Sequence, residues 1–377
     1  MTASGDDRLS TPLLRAYPGR GPAGPARRTG VPSRATRAAR WLAARPGRRG
    51  YRVFRVRLAV QAFFAALCAA SGWRFARFVH AAQAGADALP ARPAGVEGFL
   101  PISGLMGALD WLYRGTLNTI HPAATVLLLL FLAVAVLFRK AFCSWICPVG
   151  FLSDALSRLG RRLFRRNFRP WRWVDLPLRG LKHVLLGFFV WVIVRMDPVE
   201  LRAFLESPYN RMADVKMYLF FARASVTTLV VLGVLAVVSV FIQGAWCRYL
   251  CPYGALLGFF SWFSPVRIRR NERSCTDCGL CDRACPAWLP VSRSRSVSDA
   301  LCTGCLDCIA SCPVRDTLTI GTARRRVPVV TFAALLLAFF VAGYGAARMT
   351  GHWDNHLSAA EYRDSIRHVD SFGHPGM

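Results

Sequence analysis

Residues 275 to 313 carry one cysteine pattern twice, Cys275-x2-Cys278-x2-Cys281-x3-Cys285-Pro286 and Cys302-x2-Cys305-x2-Cys308-x3-Cys312-Pro313. Three cysteines separated by two residues each wrap a tight loop around one iron–sulfur cubane, and the fourth reaches the neighbouring cluster. The spacing predicts one [4Fe-4S] cluster on Cys275, Cys278, Cys281 and Cys312, and a second on Cys302, Cys305, Cys308 and Cys285. The prolines turn the chain away and remove an amide donor, and Gly279 and Gly304 suit a backbone that must pass close to sulfide. Structural zinc also uses Cys-x2-Cys, but it needs four ligands per site and has no use for this order twice.

The rest of the chain reads as membrane protein. Of its 377 residues 54 % are hydrophobic, and five apolar stretches approach the 20 or so helical residues that span a hydrocarbon core. They run near Val56–Val79, Leu117–Phe138, Leu181–Met196, Tyr218–Ile242 and Val327–Ala347. The first is punctuated by Arg74 and Arg77, and the third is only about 16 residues long, so both depend on snorkelling ends. A net charge of +28 would ordinarily suggest nucleic acid. Here nearly all of it is Arg placed between apolar runs, the pattern of topology-setting loops, and no nucleic-acid partner is expected.

The Pro-, Gly- and Arg-rich residues 1–50 cannot bury a core and are expected to be disordered on the cytoplasmic side. Segments 139–180 and 243–326, with Arg161, Arg162, Arg165, Arg166, Arg267, Arg269, Arg270 and Arg324 to Arg326, then lie inside. The expected domains are the N-terminus 1–50, a membrane domain 51–265, a ferredoxin-like insert 266–322, a last span 323–347 and a periplasmic tail 348–377. Arg48-Arg49 precedes an apolar stretch, but the rest of a twin-arginine export signal is lacking.

A second cysteine motif repeats at a separation of 104 residues: Phe142-Cys143-Ser144-Trp145-Ile146-Cys147-Pro148-Val149-Gly150 and Trp246-Cys247-Arg248-Tyr249-Leu250-Cys251-Pro252-Tyr253-Gly254. Each copy follows an apolar run in the same direction, which predicts a parallel internal repeat about an axis along the membrane normal. If the helix continues through them, cysteines at i and i+4 share a face, and the repeat would gather all four thiols. Such a group could bind a metal, exchange a disulfide, or assist the clusters; buried cysteines beside a Pro-broken helix end are the bland alternative.

Less follows from the remaining residues. Cys68 reads as packing. His121 and His183 could ligate haem or line a quinone site, but an interfacial histidine more often only hydrogen-bonds. His352 and His356 have metal-compatible spacing in a tail, also holding His368 and His374, that reads as solvated. Trp111, Tyr113, Trp171, Trp173 and Tyr218 read as an interfacial aromatic belt. Neither a dinucleotide fingerprint nor a Walker loop is present.

Together the spans, both Cys-x3-Cys-Pro motifs and the twin ferredoxin pattern resemble the polyferredoxin-like membrane proteins of the NapH/NosR/CcoG superfamily, over roughly residues 55–347. The resemblance implies an α-helical polytopic protein with a small α+β insert carrying two [4Fe-4S] clusters, sited in the bacterial inner membrane. It implies electron relay between a quinol or cytoplasmic donor and a respiratory or periplasmic partner, the quinone pool included, rather than stand-alone enzymatic activity. Cys143, Cys147, Cys247 and Cys251 are then the family's paired membrane-side cysteines. Members with a large periplasmic flavin domain or a long C-terminal periplasmic domain differ from this chain, which looks closest to the short nitrate-reductase-associated or uncharacterised electron-transport branch. One rival expectation is a copper reductase or metallochaperone, since soft thiolates select Cu(I); another is a redox sensor, for which no output domain is visible.

Overall fold

The computed structural model describes residues 48–165 and 168–373. Most of the N-terminus expected to be disordered, together with Arg166 and His374, lies outside them. Helices dominate: α1 (Arg48–Gln83), α2 (Pro101–Arg114), α3 (Pro122–Phe138), α4 (Pro148–Phe164), α5 (Arg172–Arg195), α6 (Pro198–Glu206), α7 (Pro208–Arg211), α8 (Ala213–Ala222), α9 (Val226–Phe241), α10 (Pro252–Phe260), α11 (Leu280–Ala284), α12 (Asp307–Ser311), α13 (Val329–Met349) and α14 (Ala359–Arg367). Proline opens α2, α3, α4, α6, α7 and α10, where its missing N–H has no intrahelical partner to lose and its φ is already helical.

Among the described residues three helices, α1, α5 and α13, are long and apolar enough to cross a membrane, and α8 with α9 forms a fourth candidate bent by 81°. The fold differs from the expected spans at four places. The first runs through Arg74 and Arg77 to Gln83. The second, expected from Leu117, begins only at Pro122 and with 17 residues is not among these candidates. The third, expected at about 16 residues, is a 24-residue helix, because Asp175, Arg179 and Lys182 in its first turns are buried against neighbours rather than left to end it. The stretch Tyr218–Ile242 breaks at Arg223–Ser225, where the Ser225 hydroxyl accepts from Thr228 N at 3.2 Å and starts α9 afresh.

Helix α3, with 17 residues, is apolar on every side because it is the centre of the bundle: Ala123, Val134 and Ala135 are fully buried. It packs against α2, α10 and α13. Around it the main core continues without interruption into the cysteine-rich part, through Phe142 and Trp145 to Leu306, Ile309 and Ile320.

That part carries a four-stranded antiparallel sheet in the order β2-β1-β3-β4, with β1 Arg267–Arg270, β2 Ser296–Val297, β3 Leu318–Gly321 and β4 Arg326–Val327. Ile268 pairs with both Val297 and Ile320, so one buried row of the sheet faces the cysteine loops.

A second core forms where the C-terminal end of α1 meets α8 and α14, and it includes Phe75, Phe78, Val79, Val215, Leu219 and Tyr362. The tail expected to be solvated is therefore folded. Ser358 and Glu361 make a reciprocal capping box at the start of α14, and Tyr362 and Ile366 bury its inner face. His352 and His356 precede this helix in irregular chain, so their spacing does not place them on one helical face.

Candidate functional site

The eight cysteines of the twin pattern surround two cavities. One is lined by Cys275, Cys278, Cys281 and Cys312, the other by Cys285, Cys302, Cys305 and Cys308. The fourth cysteine of each run thus lines the other run's cavity. Helices α11 and α12 bring the two sets side by side.

Both loops are shaped by left-handed residues at equivalent positions, Asp277 and Gly279 in the first and Gly304 and Leu306 in the second. Glycine takes that conformation freely, whereas Asp277 and Leu306 are held there by their surroundings. Leu306 is 1 % exposed, which supplies the packing that holds it.

Burial governs the chemistry of these thiols. It pushes Cys281 up to about 12 and Cys285 up to about 11, and raises Cys305 and Cys308 well above the ordinary thiol range. Without an electrophilic partner they stay protonated at neutral pH; a bound cluster would displace the protons and supply the positive charge that makes buried thiolate tolerable. The donor set and the two-by-four partition fit a cubane in each place.

The other four cysteines do not sit on one continuous helix. Residues Phe142–Ile146 and Trp246–Leu250 form single π-turns, in which Cys147 N donates to Phe142 O at 2.9 Å and Cys251 N to Trp246 O at 3.0 Å. Each second cysteine then leaves the helix in extended geometry, and the following proline starts α4 or α10. The expectation of an i, i+4 face through the motif is corrected accordingly: proline cannot donate the next helical hydrogen bond, and the chain restarts. Widened π-turns of this kind are rare and recur at functional sites.

The four thiols nevertheless come together, each within Coulombic reach of the other three. Cys251 Sγ accepts from Gly254 N at 3.2 Å, and the Cys147 sulfur accepts from the amides of Val149 and Gly150. Among the described residues no three His, Cys, Asp or Glu side chains converge closely enough to hold a single metal ion.

Both turns dock on the wall of the same cavity. Ser144 Oγ donates to Thr303 O at 2.6 Å and Trp145 Nε1 to Gly304 O at 3.0 Å. From the second turn Arg248 Nη1 donates to Ala287 O at 3.2 Å, and its guanidinium lies 3.9 Å from the Trp288 ring centroid. Thr303, Gly304 and Ala287 all line the cavity of Cys285, Cys302, Cys305 and Cys308. Asp175 fixes Arg248 through paired bonds of 2.9 and 3.0 Å and accepts from Tyr249 Oη at 2.7 Å.

Two further cations were not foreseen from the sequence. Lys140 and Lys182, both buried, stand within Coulombic reach of these thiols. A single Lys at a span end reads as snorkelling, so nothing local announced them. His121 lies at the far end, buried, with Nε2 2.7 Å from Asn210 O and Nδ1 3.3 Å from Glu97. His183 Nδ1 is 3.1 Å from Arg179 O on its own helix. Trp171 and Trp173 are exposed, as an interfacial belt requires.

Residues 120–167 and 225–271 match the profile of a 4Fe-4S binding domain. These two stretches hold Cys143, Cys147, Cys247 and Cys251 and stop short of Cys275. The chain is 42 % identical over 309 residues to the putative electron transport protein YccM of Escherichia coli K12, covering 80 % of this chain and 86 % of that protein. It is 26 % identical over 218 residues to the ferredoxin-type protein NapH of the same organism, covering 54 % of this chain and 70 % of NapH. It is 28 % identical over 179 residues to the regulatory protein NosR of Pseudomonas aeruginosa, covering 45 % of this chain and 23 % of NosR. No solved structure matches.

Proposed function

The chain belongs to the polyferredoxin-like NapH/NosR family, and on that premise we propose that it relays electrons across the inner face of the bacterial inner membrane, between a quinol or cytoplasmic donor and a respiratory or periplasmic redox partner. Iron–sulfur electron transfer is the common ground of the family; the donor, the partner and the cluster count belong to the proposal. Residues 266–322 form its cluster-binding part, and 51–265 with 323–347 its membrane part.

Cys275, Cys278, Cys281 and Cys312 would hold one [4Fe-4S] cluster, and Cys285, Cys302, Cys305 and Cys308 the second. Bound there, the clusters supply one-electron carriers that need no bond making in the protein. The chain's own residues do the rest. Leu306 lines one cavity and is itself buried, and Arg57 ties its loop to α1 by donating to Cys305 O and Asp307, each at 2.9 Å.

The single observation that carries the reading is the docking of both cysteine-pair turns, through Trp145 and Arg248, on the wall of the second cavity. It lines up three groups of thiols: the first set, in which Cys278 is exposed, the second set, in which none is, and the pairs that follow apolar helices. The proposal is tested by EPR on anaerobically purified protein during titration with a quinol and then with a low-potential reductant. Reduction by quinol assigns the donor to the quinone pool; reduction only by the stronger reductant assigns it to a cytoplasmic protein. Zinc in place of iron, with no acid-labile sulfide, overturns the relay. Copper that co-purifies and is lost in C147S/C251S would instead favour a copper reductase or metallochaperone role.

A further inference from the structure

We propose that the face around the first cysteine set, ringed by Arg273, Arg283, Arg293, Arg295 and Arg315, is the docking site of an acidic one-electron carrier protein. The inference rests on the relay reading above and names the chemistry of its donor on the side of the cysteine loops.

Access is the first argument. Of the eight ferredoxin-type cysteines only Cys278 is exposed, and Thr276 and Pro313, which line the same cavity, are exposed beside it. The second cavity is covered instead: both cysteine-pair turns dock on its wall, and Arg57 holds its loop to α1. A protein too large to enter the fold therefore meets the first set, at Cys278.

Charge is the second. All five arginines are exposed, and all stand at that cavity. Arg273 precedes Cys275 by two residues, Arg293 and Arg315 follow the lining residues Ser292 and Val314, and Arg283 donates to Cys278 O at 3.0 Å. Arg295 reaches Glu272 at 2.9 Å, beside Arg270 of the cavity wall. No acid among the described residues pairs with Arg273, Arg283, Arg293 or Arg315. The exposed acids nearby are Glu272, Asp277 and Asp316, and the first two are shared with Arg270 at 3.4 and 3.6 Å. A cubane held by four thiolates is itself anionic, so a bare cluster edge would repel an acidic carrier. The surplus of guanidinium offsets that charge and leaves the face positive.

The kind of partner is the third. Carriers that shuttle electrons form small, short-lived complexes, in which complementary charge sets the rate of encounter more than the affinity. A small exposed centre at Cys278 and Pro313 inside a basic rim suits that class. Anionic lipid also attracts arginine, but this ring encircles the exposed cysteine, and the start of α13 has its own arginines, Arg324 to Arg326. In the reaction one electron leaves the reduced carrier and enters the oxidised first cluster; no bond forms or breaks and no proton moves.

The test is the rate at which a reduced plant-type ferredoxin, an acidic one-electron protein, bleaches the clusters of the full chain purified anaerobically in detergent, followed by stopped-flow absorbance. The rate is expected to fall about tenfold or more between about 20 mM and about 300 mM salt. The double variant Arg273→Glu/Arg315→Glu is expected to lose about the same factor at low salt, with its iron content and its extent of reduction by dithionite unchanged. A wild-type rate that ignores salt, or a double variant as fast as wild type, overturns the docking face and leaves the relay standing. Should the variant lose iron, the salt dependence of the unaltered chain decides the matter. In nanodiscs, equal rates in neutral and anionic lipid support a free protein-docking face, whereas slowing by anionic lipid assigns the ring to the membrane surface and overturns the proposal. Clusters that dithionite does not reduce overturn the relay itself.

Discussion

Gly150 and Gly254 occupy the same position in the two cysteine-pair turns, yet only one is required by space. A Cβ on Gly150 would stand 2.1 Å from Cys143 O, which is backbone and cannot swing away. On Gly254 the nearest atom is Cys251 Sγ at 3.6 Å, an ordinary contact. Gly150→Ala is therefore expected to cost about 1–3 kcal/mol through overpacking of the turn, and Gly254→Ala to cost little. Thermal unfolding of the solubilised variants measures this directly; equal losses would show that the two turns are packed alike. Of the site, the cysteines were legible because ligand spacing is local: even the exchange of Cys285 and Cys312 between cavities follows from counting residues. Lys140 and Lys182 were not legible, because the thiols Lys182 faces include one at position 251, 69 residues away.

Among elements, what the sequence left open was where helices stop. Hydropathy marked five apolar stretches, but the 24-residue length of α5 depends on Asp175 meeting Arg248, a partner 73 residues on. The break before α9 is local chemistry, a Ser225 cap, inside a stretch whose apolar average hides it. The π-turns escaped because periodicity arguments assume one helical pitch. The same long-range logic makes Arg57 the joint between elements. Buried on α1, it reaches Asp307 at 2.9 Å, Asp154 of α4 at 3.2 Å and Cys305 O at 2.9 Å. Arg57→Ala leaves the partly buried Asp307 and a carbonyl without this donor and takes from Asp154 one of its partners, a loss of about 1–3 kcal/mol. It should loosen the loop of Cys302 and Cys305 first, seen as faster iron release to a chelator than in wild type. A release rate that does not change would mean that the apolar core alone fixes the loop.

Across the whole molecule the two ends are electrostatically unlike. At the end where α1 ends and α3 begins, several arginines are paired: Arg92 with Glu97 and Asp214, Arg202 with Glu206, Arg223 with Asp370, Arg348 with Asp354. At the cysteine-rich end no acid among the described residues pairs with Arg161, Arg162, Arg324, Arg325 or Arg326. Pairing neutralises a loop, whereas unpaired Arg near a span end resists translocation, so the surplus that sets topology sits at the cysteine-rich end. That end is expected to face the cytoplasm, where reducing conditions also spare exposed thiols such as Cys278. Two single variants test it, Arg325→Cys beside the sheet and Met349→Cys at the opposite end of α13. A membrane-impermeant maleimide applied to intact spheroplasts should modify the second and reach the first only after lysis, both measured against the parent chain. The reverse order would place the cysteine loops outside, and an electron donor in the cytoplasm could then no longer reach them.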